Sequence, residues 1–190
     1  MTVNSIGVVG AGQMGNGIAH VMALAGYDVV LNDINEDALK RAVELSERNM
    51  DRQVSRDKIS QETRDQAMSR ISISRDLPQV AQTDLIIEAA TEEETIKQKI
   101  FDSLLPHLAD HTILTSNTSS ISITRLASRT DRPEKFMGFH FMNPVPLMKL
   151  VEIIRGLATS DETYQKVHDA CAAIGKTPIV ANDYPARGEA

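Results

Sequence analysis

The sequence predicts an α/β fold with a doubly wound, mostly parallel sheet, and three observations support this prediction. Short apolar runs alternate with longer amphipathic or polar segments, which is the pattern of parallel strands joined by crossover helices. The first apolar run leads into a glycine-rich turn, and a helical pattern follows the turn. Hydrophobic residues make up 42% of the 190 residues, so the chain can bury a sizeable core.

The first strand–turn–helix unit begins with the apolar run at residues 6–9. Apolar residues recur at the i, i+4 and i+7 positions of residues 14–25, which predicts a helix with one buried face. Gly26 stands where this helix is expected to end. A second apolar strand follows at residues 29–31, so the unit reads as β–α–β.

The glycine turn has the spacing G-x-G-x-x-G, and each glycine has a physical role in a dinucleotide site. Gly10 allows the tight turn, Gly12 lets a pyrophosphate approach the backbone, and Gly15 lets helix and strand pack closely. The N-terminus of the helix offers free N–H groups and the positive end of its dipole to the phosphates. The turn therefore favours a Rossmann-type nucleotide-binding fold, and the alternative is a purely structural turn.

Asp33 bears on the choice of cofactor. It follows the second strand, about 20 residues past the glycines, where an acid that binds the adenosine ribose belongs. A 2′-phosphate would be repelled by this carboxylate and would need a nearby arginine, whereas Ile34 and Asn35 come next. The sequence therefore favours NAD as cofactor over NADP.

The rest of the chain continues the alternation. A polar stretch at residues 36–70 predicts a solvated helical hairpin inserted between two strands. Further strands are predicted at residues 71–74, 84–88, 112–115, 136–141, 150–154 and 177–181. Helices are predicted at residues 93–108 and 161–174, the second with Ser160 as its N-cap and Gly175 at its end.

Composition excludes several classes of function. The chain has 26 acidic and 20 basic residues and a net charge of −6, which argues against a general nucleic-acid binder. No apolar run is long enough to span a bilayer, and no signal peptide is visible before the first strand. Cys171 is the only cysteine and reads as a packed small residue, so a reducing cytoplasm is expected. No metal site is predicted.

Polar residues at or near the ends of three predicted strands suggest a catalytic site. Residues 116–120 read Ser-Asn-Thr-Ser-Ser, His140 ends the next strand, and Glu152 lies in an otherwise apolar strand. A buried carboxylate is unfavourable unless it is paired, and a His140–Glu152 pair would orient the imidazole as a general base. Ser119 would hold the oxygen of an alcohol.

The same residues also allow purely structural, non-catalytic interpretations. Glu152 would then face solvent from an edge strand, and His140 would be a hydrogen-bonded core histidine. The Ser/Thr/Asn run would in that case be the N-cap of a helix that starts near Ile121.

Four segments resemble the NAD-binding domain of the 3-hydroxyacyl-CoA dehydrogenases. They are residues 10–19, 116–120, 140–144 and 182–185, and the match runs from about Ser5 to Pro185. The resemblance implies that residues 1–185 form an NAD-binding domain. It also implies oxidation of an (S)-3-hydroxyacyl-CoA, with 3-hydroxybutyryl-CoA favoured, to the 3-oxoacyl-CoA by NAD, and the reverse reaction.

The resemblance also implies roles for individual residues. His140 would be the base, Glu152 its orienting partner, and Ser119 a hydrogen-bond donor to the substrate oxygen. Asn143 would lie beside nicotinamide and substrate, and the remaining cofactor contacts would come from Gly10, Ala11, Gly12, Gln13, Met14, Gly15, Asp33, Glu92 and Lys97. Arg52 and Arg56, otherwise read as solvated charges, would contact the phosphates of coenzyme A.

The chain departs from the family pattern at residues 186–190, which read Ala-Arg-Gly-Glu-Ala and form a divergent tail. In the family a helical domain of roughly 100 residues follows here, closes the substrate cleft and forms the homodimer. A further catalytic asparagine of the family is replaced by Ala190. Two alternative functions are therefore expected for this chain. It is either an active dehydrogenase or a fragment that binds NAD(H) with little or no turnover.

Overall fold

The computed structural model describes residues 2–183, in which eight strands form one sheet. The strands are β1 Ser5–Val9, β2 Asp28–Asn32, β3 Ile71–Ser74, β4 Leu85–Glu88, β5 Ile113–Ser116, β6 Phe136–Phe141, β7 Leu150–Arg155 and β8 Thr177–Asn182. The helices are α1 Gln13–Leu24, α2 Glu36–Val54, α3 Gln61–Ser69, α4 Leu77–Val80, α5 Glu94–Leu104, α6 Ile123–Ala127 and α7 Asp161–Ala173. The predicted tail at residues 186–190, together with Tyr184 and Pro185, lies outside the described residues.

The strand order is β3-β2-β1-β4-β5-β6-β7-β8. All neighbours are parallel except β6 and β7, which are antiparallel. The chain runs outwards from β1 in both directions, so the order reverses between β1 and β4. In sheets of this kind, ligands bind outside the carboxyl ends of the strands at such a switch point. The predicted doubly wound, mostly parallel sheet is therefore confirmed.

The two faces of the sheet carry separate hydrophobic clusters. Helices α1, α2, α3 and α7 cover one face, with Ile18, Leu39 and Val167 among their buried residues. Helices α4, α5 and α6 cover the other, where Phe101 packs edge to face on Phe136 at a ring distance of 5.0 Å. Burial of both faces explains why the strands read as apolar runs rather than as alternating patterns.

The helical hairpin between β2 and β3 is also confirmed, as helices α2 and α3. Asn35 caps α2 and Ser60 caps α3, each with its side-chain oxygen accepting from backbone N–H groups of the first turn. The sequence does not predict α4, because four residues are too few to show a helical period.

Two predicted helix boundaries differ from those observed by more than one residue. The helix predicted over residues 93–108 ends as an α-helix at Leu104, and a 3-10 turn continues it over Leu105–His107, where Pro106 lacks the N–H that an α-helix interior needs. Helix α6 begins at Ile123 rather than near Ile121, because Ser122 is its N-cap. The Ser/Thr/Asn run at 116–120 is therefore not the cap of this helix.

Cys171 is fully buried in α7, and burial raises the pKa of its thiol to about 11. A thiol in that environment stays protonated, so its interpretation as a packed small residue is confirmed. No helix within residues 2–183 is both long enough and apolar enough to cross a bilayer.

Candidate active site

The glycine turn joins β1 to α1 at the switch point of the sheet. Gly10 has a φ of +104°, and a Cβ there would lie 2.7 Å from the carbonyl oxygen of Ala89. A Cβ on Gly15 would lie 1.8 Å from the carbonyl oxygen of Gly10. Both positions therefore require glycine for geometric reasons. A Cβ on Gly12 would meet no described atom within 4 Å, so open space lies in front of this backbone.

The start of α1 is suited to an anion. Gly12 is the N-cap, no described side chain caps the helix, and its first turn holds no acidic residue. The N–H groups of the first turn are therefore free to donate, and the helix dipole adds a partial positive charge. The residues of the turn fit a pyrophosphate in this position.

Asp33 lies beside this turn, directly after β2. Its Oδ2 accepts a hydrogen bond from the N–H of Ala11 at 2.8 Å, and its Oδ1 accepts one from Asn35 at 2.9 Å. The sequence did not show that this carboxylate braces the glycine turn. Each oxygen keeps a lone pair, so the group can still accept hydrogen bonds from ribose hydroxyls.

A cleft of about 420 Å³ opens next to the glycine turn, at the ends of β4, β5 and β6. Its lining includes Met14 of the glycine turn and most of the residues predicted around the nicotinamide and the substrate: Glu92, Lys97, Ser119, His140 and Asn143. Asn117, which also lines the cleft, accepts a hydrogen bond from the N–H of Phe141 at 2.8 Å and ties the end of β5 to the end of β6. The tertiary structure thus brings together side chains from three strand ends.

His140 and Glu152 form the predicted pair. They lie opposite each other in the antiparallel β6–β7 register, and Nδ1 of His140 is 2.8 Å from Oε2 of Glu152. The imidazole is mostly buried and the carboxylate is 39% accessible, so the expectation of a buried carboxylate is wrong. The alternative placing Glu152 on an edge strand is also wrong, because β8 lies beside β7.

Glu92 organises the loop that carries Ser119. Its Oε1 accepts hydrogen bonds from the Thr118 hydroxyl at 2.7 Å, the Ser119 N–H at 3.0 Å and the Ser120 hydroxyl at 3.0 Å. Burial opposes the charged form, but these hydrogen bonds and the nearby Lys97 outweigh it and lower the pKa of the Glu92 carboxyl. The Ser119 hydroxyl is 3.2 Å from the same oxygen, the longest of these contacts, and can rotate into the cleft.

Lys97 is fully buried and forms an ion pair with Glu88, whose role the sequence did not reveal. The Nζ of Lys97 donates to Oε2 of Glu88 at 2.6 Å, and the Ser116 hydroxyl donates to the same oxygen at 2.7 Å. The other oxygen accepts from the N–H of Ala90 at 2.9 Å. One feature of the sequence could have indicated this ion pair: Glu88 ends the apolar strand β4, and Lys97 follows nine positions later.

Arg52 and Arg56 lie away from the cleft. Arg52 is in the last turn of α2 and Arg56 follows that helix. Both are exposed, and within residues 2–183 neither guanidinium forms a hydrogen bond or an ion pair. The structure therefore does not bring them to the other predicted site residues.

The fold and the glycine turn define a Rossmann-type, dinucleotide-binding protein. A family profile described as 3-hydroxyacyl-CoA dehydrogenase, NAD binding domain, matches residues 5–184. The chain belongs to the 3-hydroxyacyl-CoA dehydrogenase family and corresponds to its NAD-binding domain.

Several relatives are similar over nearly the whole of this chain. The 3-hydroxybutyryl-CoA dehydrogenase of Bradyrhizobium diazoefficiens is 53% identical over 97% of this chain and 63% of that protein. The 3-hydroxyadipyl-CoA dehydrogenase of Escherichia coli is 39% identical over 97% of this chain and 39% of that protein.

The crystal structure of (S)-3-hydroxybutyryl-CoA dehydrogenase from Ralstonia eutropha has a TM-score of 0.94 at 42% identity, over 97% of this chain and 65% of that one. The proteins that these comparisons name are oxidoreductases. This chain spans less than two thirds of their length.

Proposed function

We propose that this chain catalyses the NAD-dependent oxidation of an (S)-3-hydroxyacyl-CoA, with 3-hydroxybutyryl-CoA as the favoured substrate, to the 3-oxoacyl-CoA, and the reverse. The observation that carries the proposal is the His140–Glu152 pair at 2.8 Å, with His140 lining the same cleft as Ser119 and Asn143. A histidine held by a carboxylate is a common general base for an alcohol proton. The names of the relatives supply the substrate class.

The proposal gives each side chain a task. Glu152 contacts Nδ1 of His140, so the other ring nitrogen, Nε2, is the one to accept the proton of the 3-hydroxyl group. The neighbouring carboxylate then stabilises the imidazolium that forms. The Ser119 hydroxyl rotates away from Glu92 to donate to the substrate oxygen. A bound NAD would supply the acceptor for the hydride of the 3-carbon.

The same proposal assigns the cofactor contacts. The glycine turn, from Gly10 to Gly15, would hold the pyrophosphate, and Asp33 would accept from the adenosine ribose. Asp33 also disfavours the 2′-phosphate of NADP. Glu92, Lys97 and Asn143 would surround the nicotinamide half, Lys97 as a buried support rather than a freely accessible cation.

The coenzyme A contacts and the domain limits are proposals of the same kind. We assign Arg52 and Arg56 to the coenzyme A phosphates, because both are exposed and neither guanidinium is paired with a carboxylate within residues 2–183. Residues 1–185 would form the NAD-binding domain, with residues 186–190 outside it.

The decisive experiment follows NADH formation from (S)-3-hydroxybutyryl-CoA by the wild-type chain and by His140→Gln. Loss of a general base should lower kcat by about 10²–10⁴-fold, while NADH affinity measured by fluorescence stays the same. His168→Gln, the same change on the outer surface of α7, is the matched control and should keep wild-type kcat. Equal turnover by wild type and His140→Gln would show that His140 is not the base.

The second candidate function is binding of NAD(H) with little or no turnover. It is favoured by the fact that the chain spans 63% of the length of its Bradyrhizobium relative. Saturable NADH binding with no thioester oxidation by the wild-type chain would support it. Turnover in the range of ordinary dehydrogenases, about 1–10³ s⁻¹, would exclude it.

A further inference from the structure

Asn143 belongs to a segment with little secondary structure of its own. This segment, the β6–β7 loop of residues 142–149, connects the strand that ends beside His140 to the strand that carries Glu152. Its only described internal backbone hydrogen bonds run from the N–H groups of Leu147 and Met148 to the carbonyl of Pro144, each at 3.0 Å. Two hydrogen bonds are few for eight residues, so other contacts must set the position of the loop.

Helix α1 supports one side of this loop through apolar packing. Val145 is 2% exposed, and a Cβ on Gly17 would lie 2.8 Å from the Cβ of Val145. The glycine thus allows the loop to sit directly on the helix that starts at the cofactor turn. This contact sets the distance between loop and helix, but van der Waals packing alone does not fix the direction of the loop carbonyls.

Lys176, one residue past the glycine that ends α7, supports the other side. Its Nζ donates to the carbonyl oxygen of Val145 and, at 2.7 Å, to that of Met148. Lys176 is half-buried, and this burial lowers the pKa of its ammonium. One cation therefore ties both halves of the loop to the start of β8.

We propose that Lys176 is a positioning residue for the nicotinamide half of the cofactor site: it fixes the β6–β7 loop and so holds Asn143 at the cleft. The inference rests on the proposed function, because it takes Asn143 as a nicotinamide contact. Lys176 does not line the cleft and acts only through the loop. The adenosine half of the site is held by contacts of its own, among them the hydrogen bond from the N–H of Ala11 to Asp33.

The test compares two ligands that differ at the nicotinamide end. NADH carries that ring, whereas ADP-ribose has only the adenosine, pyrophosphate and terminal ribose. Lys176→Met should weaken NADH binding by about five- to tenfold, as expected for loss of charge-assisted hydrogen bonds, and should leave ADP-ribose affinity within about twofold. Lys176→Arg should restore NADH affinity, because a guanidinium can donate to both carbonyls.

Lys149→Met is the matched control. Lys149 lies in the same loop, its side chain is exposed, and within residues 2–183 its ammonium has no hydrogen bond or ion pair. Both affinities should therefore stay at wild-type values. Should Lys176→Met fail to fold, Lys176→Gln, which is too short to reach both carbonyls, takes its place.

Hydrogen exchange adds a readout that needs no ligand. The amides of Leu147 and Met148 should exchange faster in Lys176→Met, while those of the glycine turn should not change. Equal weakening of NADH and ADP-ribose would show a general structural role and overturn the inference, as would no change in either. A wild-type chain that bound neither ligand would instead overturn the proposed function itself, and the positioning role with it.

Discussion

At the scale of single residues, His20 is a buried polar side chain of the described core whose hydrogen bonding is incomplete. It lies in α1 at 1% exposure, with Nε2 at 3.3 Å from the Gln53 amide nitrogen. Within residues 2–183, two buried side-chain atoms have no hydrogen-bond partner, Nδ1 of His20 and Oε1 of Gln53. Burial lowers the pKa of His20 to about 4, the hydrogen bond between His20 and Gln53 opposes this shift, and the charge of Lys176 adds to it.

This pKa predicts a stability loss on mild acidification. The folded-state pKa lies below the unfolded value of about 6.5, so the unfolded chain takes up the proton first as the pH falls. The contribution is fully present above pH 6.5 and is lost between about pH 6.5 and 4; at pH 5 the loss amounts to about 2 kcal/mol. Urea unfolding at pH 7 and pH 5 should show His20→Gln losing less stability than wild type.

The control for this prediction is His168→Gln on the exposed side of α7, which should keep the wild-type dependence on pH. Carboxyl groups with a lowered pKa, such as those of Asp84 and Glu92, also reduce the free energy of unfolding at low pH. They do so equally in wild type, His20→Gln and His168→Gln. The difference between the variants therefore isolates the imidazole. An identical loss in wild type and His20→Gln would contradict the assignment.

At the scale of elements, the Glu88–Lys97 pair joins the ends of β4 and β5 to α5. Both side chains are at most 1% exposed, so removing one partner leaves a buried, uncompensated charge. Lys97→Met should lower the free energy of unfolding by about 3–5 kcal/mol. The double variant Glu88→Gln, Lys97→Met should lose less than the sum of the single losses, measured by urea unfolding as a double-mutant cycle.

Lys99→Met is the control for that cycle. Lys99 lies on the same helix, it is exposed, and it has no ion pair among the described residues, so the change should stay within about 0.5 kcal/mol. Additive losses for the Glu88 and Lys97 variants would mean that the two groups do not stabilise each other in solution.

At the scale of the whole molecule, cofactor binding should stabilise the fold as one unit. NADH at a hundred times its Kd should add about 2.7 kcal/mol, which corresponds to a rise in Tm of roughly 5–10 °C for a domain of this size. NADPH at the same concentration should raise Tm less, because the proposed ribose contact at Asp33 would place a carboxylate beside its 2′-phosphate. Dye-based thermal unfolding with both dinucleotides measures this difference, and Asp33→Ala should reduce it. A larger shift with NADPH would reverse the cofactor preference.

The organisation of this whole molecule was largely predictable from local patterns. Strands buried on both faces read as apolar runs, and caps such as Ser160 mark helix ends through hydrogen bonds within four residues. The glycine turn was predictable because the positive φ of Gly10 and the contact of Gly15 with the carbonyl oxygen of Gly10 are local, whereas the contact of Gly10 with Ala89 was not visible in the sequence. The His140–Glu152 pair was predictable in part, because the two residues lie on strands that follow each other in the chain and pair in the sheet.

The sequence by itself determined the α/β fold and the glycine turn, and it predicted that His140 and Glu152 form a pair. Only the tertiary structure decided that Glu88 neutralises Lys97, that Glu92 holds the loop of Ser119, and that Lys176 holds the loop of Asn143. The physical reason is that periodicity shows that a side chain is buried, not what it contacts. Partners distant in sequence depend on sheet register and helix packing, which arise only when the whole chain is folded.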